Sequence, residues 1–218
     1  MRNSRGLNIA AGLTTVGAWV ALFFFTWELP PRIASGPHEA VGWMLAQEAL
    51  RLRTEGGPII VIARDTTEFK QPAMDVQLRS LTRAIRQGQT TIAAFKAIEV
   101  DPLRVVEVPA GDFMELIRKV PAGSVIVSSM GPPLLTGQQR LQLGPIRPKI
   151  VAFCPGNLPD RVDLREVFAQ GLLEVAIVSR RNPPRSHPGN LRACYDQFFQ
   201  TITASNVDRF YAAAGEER

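Results

Sequence analysis

Short apolar segments alternate with amphipathic segments between residues 58 and 181, and this alternation constrains the fold more than any other feature of the sequence. The first segment, 58–63, is wholly apolar and rich in β-branched residues, which is typical of a central parallel strand covered on both faces. The strand–helix pattern recurs about five times. It predicts a Rossmann-like, three-layer α/β domain with a mainly parallel sheet of about five strands. The predicted strands are 58–63, 91–100, 124–128, 149–153 and 173–178.

The flanking segments complete the predicted domain organisation. Residues 38–53 place Val41, Met44 and Leu45 on one face at helical spacing, which predicts an amphipathic helix. Residues 191–204 predict a C-terminal helix. The predicted divisions are a cytoplasmic basic flank at 1–6, a transmembrane anchor at 7–27, a connector with the amphipathic helix at 28–57, the α/β domain at 58–181, and a basic loop with the C-terminal helix at 182–218.

Residues 6–27 form a stretch without charge between Arg5 and Glu28. As a helix, 7–27 would be roughly 31 Å long, about the thickness of the hydrocarbon core of a bilayer. The basic N-terminal flank favours a cytoplasmic N-terminus. We therefore expect a single-pass protein of the bacterial inner membrane, with its main domain in the periplasm. A cleaved secretory signal and a buried globular helix are the alternatives.

Four small residues recur along this stretch at spacings of four, three and four. They are Ala10, Thr14, Gly17 and Ala21, and they share one helical face. Faces of this kind let membrane helices approach closely, which predicts contact with the helices of an integral membrane partner within the lipid bilayer. The alternative is that small residues are simply frequent in membrane helices.

Polar residues follow several of the predicted strands. In open α/β sheets, ligands bind beyond the carboxyl ends of the strands, because the loops there converge on one edge. Backbone amides and arginine side chains at that edge could hold an anion, although ordinary polar loop ends would look the same. The ligand-binding candidates are Arg64, Asp65, Thr66, Ser128, Ser129, Gly131, Asn157 and Arg180.

No motif in the sequence identifies a reaction. There is no dinucleotide fingerprint and no phosphate-binding P-loop, and Val127 stands where a nucleophile elbow needs glycine. His38 and His187 are the two histidines, and neither has a second ligand at metal spacing. We therefore predict no metal, no cofactor and no catalytic residues, and whether the protein is an enzyme stays open, with a non-enzyme favoured.

The net charge of +5 comes from many arginines, with one dense run at Arg180, Arg181 and Arg185. A basic patch can bind nucleic acid or lipid headgroups. We interpret this run as a solvated loop and expect no nucleic-acid partner.

Cys154 and Cys194 are the two cysteines. Outside the cytoplasm an even count favours a disulfide, which would join the C-terminal helix to the end of a strand. Two buried free thiols are the favoured interpretation, because Cys154 follows an apolar strand, and the disulfide is the alternative.

The strand–helix pattern, with the turn Ser-Ser-Met-Gly-Pro-Pro after a strand at 128–133, resembles one lobe of a type 1 periplasmic binding protein. The resemblance covers 58–181 and implies a small-molecule or anion binding module. Those proteins bind between two lobes, and this chain has room for one. Our main expectation is a non-catalytic, membrane-anchored accessory subunit of an inner-membrane complex. The binding module is the alternative, and an enzyme acting at the strand ends is a third possibility.

Overall fold

A computed structural model of the protein describes residues 14–23, 33–54, 56–67, 70–99, 108–144, 147–184 and 188–216. The chain divides into two compact units, Met1–Ile33 and Ala34–Arg218. In the first unit, residues 14–23 are helical and exposed.

The predicted membrane anchor is not supported. Among the described residues, no helix is both long and apolar enough to cross a bilayer. The helical stretch covers 14–23, and the rest of the predicted span, 7–13 and 24–27, lies outside the described residues. The predicted location in the inner membrane, which depended on this span, is contradicted.

The predicted contact face of the anchor is described only in part. Thr14, Gly17 and Ala21 lie on the exposed helical stretch, and Ala10 lies outside the described residues. A Cβ atom added at Gly17 would meet no atom within 4 Å. Contact of this face with a partner helix stays a prediction.

The second unit is an α/β domain. Its helices and strands, in chain order, are α1 (Ser35–Leu52), β1 (Ile59–Arg64), α2 (Pro72–Gln87), β2 (Ile92–Ile98), α3 (Ala110–Lys119), β3 (Val125–Ser128), α4 (Gly137–Leu141), β4 (Lys149–Cys154), α5 (Leu158–Arg161), α6 (Leu164–Ala169), β5 (Val175–Ser179), α7 (Leu191–Phe198), β6 (Phe199–Ile202) and α8 (Val207–Glu216).

The sheet has six strands in the order β2-β1-β3-β4-β5-β6. The first five are parallel, and β6 runs antiparallel to β5. The predicted Rossmann-like domain with a mainly parallel sheet is confirmed. Strands β1, β3 and β4 lie between other strands and are almost wholly buried, as their apolar sequences predict.

Strand β6 lies inside the segment that the sequence predicts as one helix, 191–204, and that prediction is wrong. Helix α7 ends at Phe198, and the next four residues pair with β5, with Ser179 opposite Phe199 and Ala176 opposite Ile202. Pairing with an existing strand gives backbone N–H and C=O groups hydrogen-bond partners, and it buries Phe199 and Ile202. Tertiary pairing therefore outweighed the helical periodicity of the local sequence.

Each face of the sheet carries its own core. Helices α1, α2 and α7 contribute to the α1-side cluster, which includes Val61, Val127, Ile177 and Phe199. Helices α3, α5, α6 and α8 contribute to the α3-side cluster, which includes Ile62, Ile126, Ala152 and Ile202. Neighbouring residues of a strand alternate between the two clusters, as the period of two requires.

Helices α1 and α2 approach closely because of one glycine. A Cβ atom at Gly42 would overlap the backbone carbonyl of Gln77. Ser80 Oγ on α2 also donates a hydrogen bond to Glu39 O on α1, at 2.7 Å. Any larger residue at position 42 would push α2 away from α1.

Candidate functional site

A cleft of about 470 Å³ lies beyond the carboxyl end of β5, and side chains from four parts of the domain line it. Arg180 to Asn182 follow β5, Pro159 and Asp160 belong to α5, and Arg209 and Phe210 lie on α8. Strand β6 contributes Gln200 to Ile202 along one side. The full lining is Gly156, Pro159, Asp160, Ser179, Arg180, Arg181, Asn182, Gln200, Thr201, Ile202, Asn206, Arg209, Phe210 and Ala213.

The alternation of side chains between the two faces of the sheet decides which residues of β6 reach the cleft. Ile202 belongs to the α3-side cluster and Phe199 to the α1-side cluster. Because side chains alternate along a strand, Gln200 lies on the same face as Ile202, where α8 packs. Gln200 therefore presents its amide on the cleft side.

Arg180 fixes the junction between α7 and β6. Its Nε donates hydrogen bonds to Asp196 O at 2.9 Å and Phe199 O at 3.1 Å. Its backbone N–H donates to Phe198 O at 2.8 Å. A helix C-terminus has carbonyls without intrahelical partners, and the arginine satisfies them.

Arg181 and Asp160 form an ion pair at the cleft, with Arg181 Nη2 2.7 Å from Asp160 Oδ1. The pair joins the loop after β5 to α5. Both side chains keep contact with solvent, since their exposed fractions are 37% for Arg181 and 41% for Asp160. Among the described residues, three guanidinium groups and one carboxylate line the cleft, so this part of the lining is net positive.

The turn between β6 and α8 is built by Asn206. Its Oδ1 accepts a hydrogen bond from Thr203 N at 2.8 Å, and its Nδ2 donates one to Thr201 O at 3.0 Å. This side chain lines the cleft, but its amide stabilises the turn that positions α8.

Tyr211 holds α8 against the segment between α5 and α6. Its hydroxyl oxygen accepts a hydrogen bond from Leu164 N at 3.0 Å and lies 3.1 Å from both Pro159 O and Val162 O, to one of which it donates. The Arg165 guanidinium covers the ring, 4.6 Å from its centroid. Burial raises the pKa of Tyr211, so the hydroxyl stays protonated and remains a donor.

The predicted ligand-binding residues all lie at the carboxyl edge of the sheet, but one of the eight lines the cleft. That residue is Arg180. Asn157 is exposed, and its neighbour Gly156 lines the cleft in its place. Ligand binding by all eight candidates stays a prediction.

Three of these candidates follow β1. Arg64 is the last residue of the strand and is buried. Asp65 Oδ1 accepts a hydrogen bond from Thr67 N at 2.8 Å, and this backbone hydrogen bond is the main cause that lowers the pKa of Asp65. Thr66 Oγ1 lies 3.5 Å from Asp75 Oδ1, at the limit of a hydrogen bond. These contacts stabilise the turn into α2.

The other three candidates form the turn after β3. Ser128 Oγ donates to Gly131 O at 2.6 Å and accepts from Met130 N at 3.3 Å. Gly131 has φ +88°, a conformation that favours glycine, and its N–H donates to Phe153 O at 3.0 Å. Ser129 is buried, and its Oγ has no hydrogen-bond partner among the described residues.

Residues that line the cleft and that the sequence did not nominate include Asp160, Arg181, Gln200 and Arg209. Arg181 belongs to the basic run that the sequence interpretation treats as a solvated loop. Gln200 and Arg209 could not be placed, because β6 was predicted as helix. A sequence pattern that predicts a strand after α7 would have placed both residues near the cleft.

The two cysteines are buried free thiols, as the favoured interpretation of the sequence predicts, and the alternative disulfide does not form. Cys154 belongs to the α3-side cluster and Cys194 to the α1-side cluster, on opposite faces of the sheet. Burial raises the pKa of Cys154 to about 12, which leaves it almost wholly protonated at neutral pH. Among the described residues, no group of three side chains could hold a metal ion.

The fold is similar to that of several solved structures. The arabinose-binding protein AraP from Geobacillus stearothermophilus matches with a TM-score of 0.50 and 16% identity, over 80% of this chain and 63% of that one. A periplasmic ribose ABC transporter structure from Conexibacter woesei matches with a TM-score of 0.50 and 9% identity, over 83% and 61%. A structure assigned as a LacI transcriptional regulator from Bacteroides fragilis matches with a TM-score of 0.53 and 9% identity, over 79% and 61%.

These similarities define the class of fold: an α/β domain with a mostly parallel, six-stranded sheet, similar to the lobes of periplasmic binding proteins. The chain spans less than two thirds of the length of these structures. No protein-family model matches the sequence, and no curated protein sequence matches it. The similarities show a fold like that of the lobe which the strand–helix pattern resembles, and they do not confirm the membrane-anchored accessory subunit.

Proposed function

We propose that this protein binds a small anionic molecule, of the sugar-phosphate or sugar-acid class, in the cleft beyond the carboxyl end of β5. The observation that carries the proposal is the charge of the lining: Arg180, Arg181 and Arg209 surround a cleft that contains one carboxylate, Asp160. The volume of about 470 Å³ falls in the usual range for small-molecule sites.

The chemistry of the lining suits a hydroxylated anion. Guanidinium groups donate paired hydrogen bonds to phosphate or carboxylate oxygens. The amides of Asn182 and Gln200 offer donors and acceptors to hydroxyl groups. Phe210 supplies an apolar wall, and its ring is packed edge-on against Tyr211, with centroids 5.0 Å apart. The solved structures with a similar fold include arabinose- and ribose-related proteins, which supports a sugar-derived ligand.

The position of the cleft agrees with the general rule for open α/β sheets, which place ligands beyond the carboxyl ends of the strands. Binding between two lobes buries a ligand on both sides, whereas this cleft belongs to one domain. We therefore expect a dissociation constant in the micromolar range or weaker.

The test is a thermal-shift screen followed by isothermal titration calorimetry. The probes are a pentose, its 5-phosphate and the corresponding sugar acid. We expect the anionic probes to raise the melting temperature and the neutral sugar to leave it unchanged. Arg181→Gln and Arg209→Gln should each weaken binding about tenfold, because each removes a charge-assisted contact.

Arg83→Gln is the matched control, since Arg83 is an exposed arginine on α2, on the other face of the sheet. It should bind like the wild type. Equal binding of neutral and anionic sugars, or an equal loss in the Arg83 variant, would contradict the proposal.

A further inference from the structure

The anion-binding cleft contains a carboxylate of its own, and its placement has a consequence for selectivity. Asp160 Oδ1 lies 2.7 Å from Arg181 Nη2, which is the distance at which a ligand oxygen would contact that guanidinium. The two residues come from different elements, α5 and the loop after β5, so the pair spans part of the cleft wall.

We infer that Asp160 is a specificity-determining residue, which competes with ligand anions for Arg181 and thereby excludes simple anions such as inorganic phosphate. This inference rests on the proposed function. A ligand that offers nothing except charge must displace Asp160 from Arg181 or accept a like charge beside it. A sugar phosphate can reduce that cost, because a hydroxyl group of the sugar can donate a hydrogen bond to the displaced Asp160 carboxylate.

The exposure of the pair sets the size of the effect. Asp160 and Arg181 both reach solvent, so water screens their attraction, and the pair is worth much less than a buried one. Displacement of Asp160 from Arg181 therefore costs a modest amount of binding free energy. The cost is smaller for a ligand that can hydrogen-bond the displaced carboxylate and larger for one that offers charge alone. We expect a change of about three- to tenfold in affinity for a simple anion.

Discrimination of this kind depends on an unfavourable contact as well as a favourable one. Binding sites gain selectivity when a competing ligand must accept an unpaired or like charge. Here inorganic phosphate bears the full penalty of the like charge, whereas a sugar phosphate can donate a hydroxyl hydrogen bond to the same carboxylate, so the two penalties differ. The measured quantity that reports this role is the ratio of dissociation constants for inorganic phosphate and for a sugar phosphate.

The experiment measures this ratio by calorimetry for the wild type, Asp160→Asn, Asp160→Glu and Asp163→Asn. Asp160→Asn keeps the shape and removes the charge, so phosphate should bind about three- to tenfold more tightly and the ratio should shrink. Asp160→Glu keeps a carboxylate and should restore the wild-type ratio. Asp163 is the matched control, because it also pairs with an arginine, at 2.9 Å, but does not line the cleft.

The outcomes separate this inference from the proposed function. If Asp160→Asn leaves the ratio unchanged or weakens phosphate binding, while Arg181→Gln still weakens sugar-phosphate binding about tenfold, the role of Asp160 is wrong and the anion site stands. If no anion binds the wild type or Asp160→Asn, both proposals fail. A shift of the ratio in the Asp163 variant as large as in the Asp160 variant would also overturn the inference, because the effect would then be a general one of charge.

Discussion

The sheet ends in two edge strands that differ in almost every physical respect. Strand β6 is covered on both faces: Phe199 packs in the α1-side cluster and Ile202 in the α3-side cluster. Strand β2 is exposed along residues 93–97, and Phe95 keeps 51% of its surface in contact with solvent. The covered edge carries the cleft.

The exposed edge shows two features that discourage pairing with another chain. The register shifts between Ile59 and Ile60, where β2 has one extra residue, Ala93. Lys96 lies in the middle of the strand and pairs with Asp112 at 3.5 Å. A bulge and a lysine on an edge strand both oppose edge-to-edge association.

The difference in packing between the two edge strands indicates where this fold can form a binding site. A cleft needs packed walls, and the covered edge supplies them because α7 leads directly into β6 and residues of α5 and α8 line the same cleft. The exposed edge has strand pairing on one side and little side-chain packing. Substitutions at the covered edge should therefore lower the free energy of unfolding more than substitutions at the exposed edge.

The two phenylalanines provide the most direct test. Phe199 is 7% exposed and contacts the rings of Phe153 and Tyr195, each with centroids 5.9 Å away. Phe199→Ala should lower the free energy of unfolding by about 3–5 kcal/mol. Phe95→Ala should change it by about 0.5 kcal/mol or less. Urea unfolding monitored by circular dichroism measures both, and similar costs at the two positions would show that the edges are equally packed.

Removal of the Tyr211 hydroxyl should weaken the wall of the cleft. Tyr211→Phe leaves Leu164 N and one carbonyl, Pro159 O or Val162 O, without their partner, so we expect a loss of about 1–2 kcal/mol in unfolding free energy. Because α8 also carries Arg209, affinity for the anionic probe should fall as well. Phe95→Ala is again the control and should leave affinity unchanged. A stable variant with normal affinity would contradict the assigned role of the hydroxyl.

The smallest expected effect concerns Asp163, the N-cap of α6. Its side chain accepts a hydrogen bond from Arg165 N at 2.9 Å, and the hydrogen bond from the Arg165 guanidinium is the main cause that lowers the pKa of Asp163. Asp163→Ala should cost about 1 kcal/mol at neutral pH.

The pH dependence follows from the direction of that shift. Since the folded-state pKa lies below the unfolded value near 3.9, the stabilisation is present above this value and is lost as the pH falls through the folded pKa. The difference between wild type and Asp163→Ala should therefore shrink between about pH 5 and about pH 2. Asp163→Asn, which keeps the cap acceptor, should retain most of the stability without this pH dependence. A difference that grows on acidification would refute the assignment.

The local sequence predicts most of this fold because periodicity and composition are local properties. The run at 58–63 is apolar and β-branched, and it becomes the buried β1 (Ile59–Arg64). Helix α2 begins at Pro72, where proline is well placed, and its stripe of Leu81 and Ile85 faces the core. The sequence pattern also placed Arg180 after a strand, and in the structure Arg180 follows β5 and lines the cleft.

The tertiary structure alone decided three things. Whether residues 199–202 are helix or strand depended on the free edge of β5, which no local pattern records. The fate of the two thiols depended on the faces of the sheet to which Cys154 and Cys194 turn. The lining of the cleft depended on residues far apart in sequence, such as Asp160 and Arg181, which meet across the α5 and β5 ends. The local sequence predicts most of the elements, whereas packing decides that residues 199–202 form a strand and which side chains meet, because contacts between elements are set by geometry that acts over the whole domain.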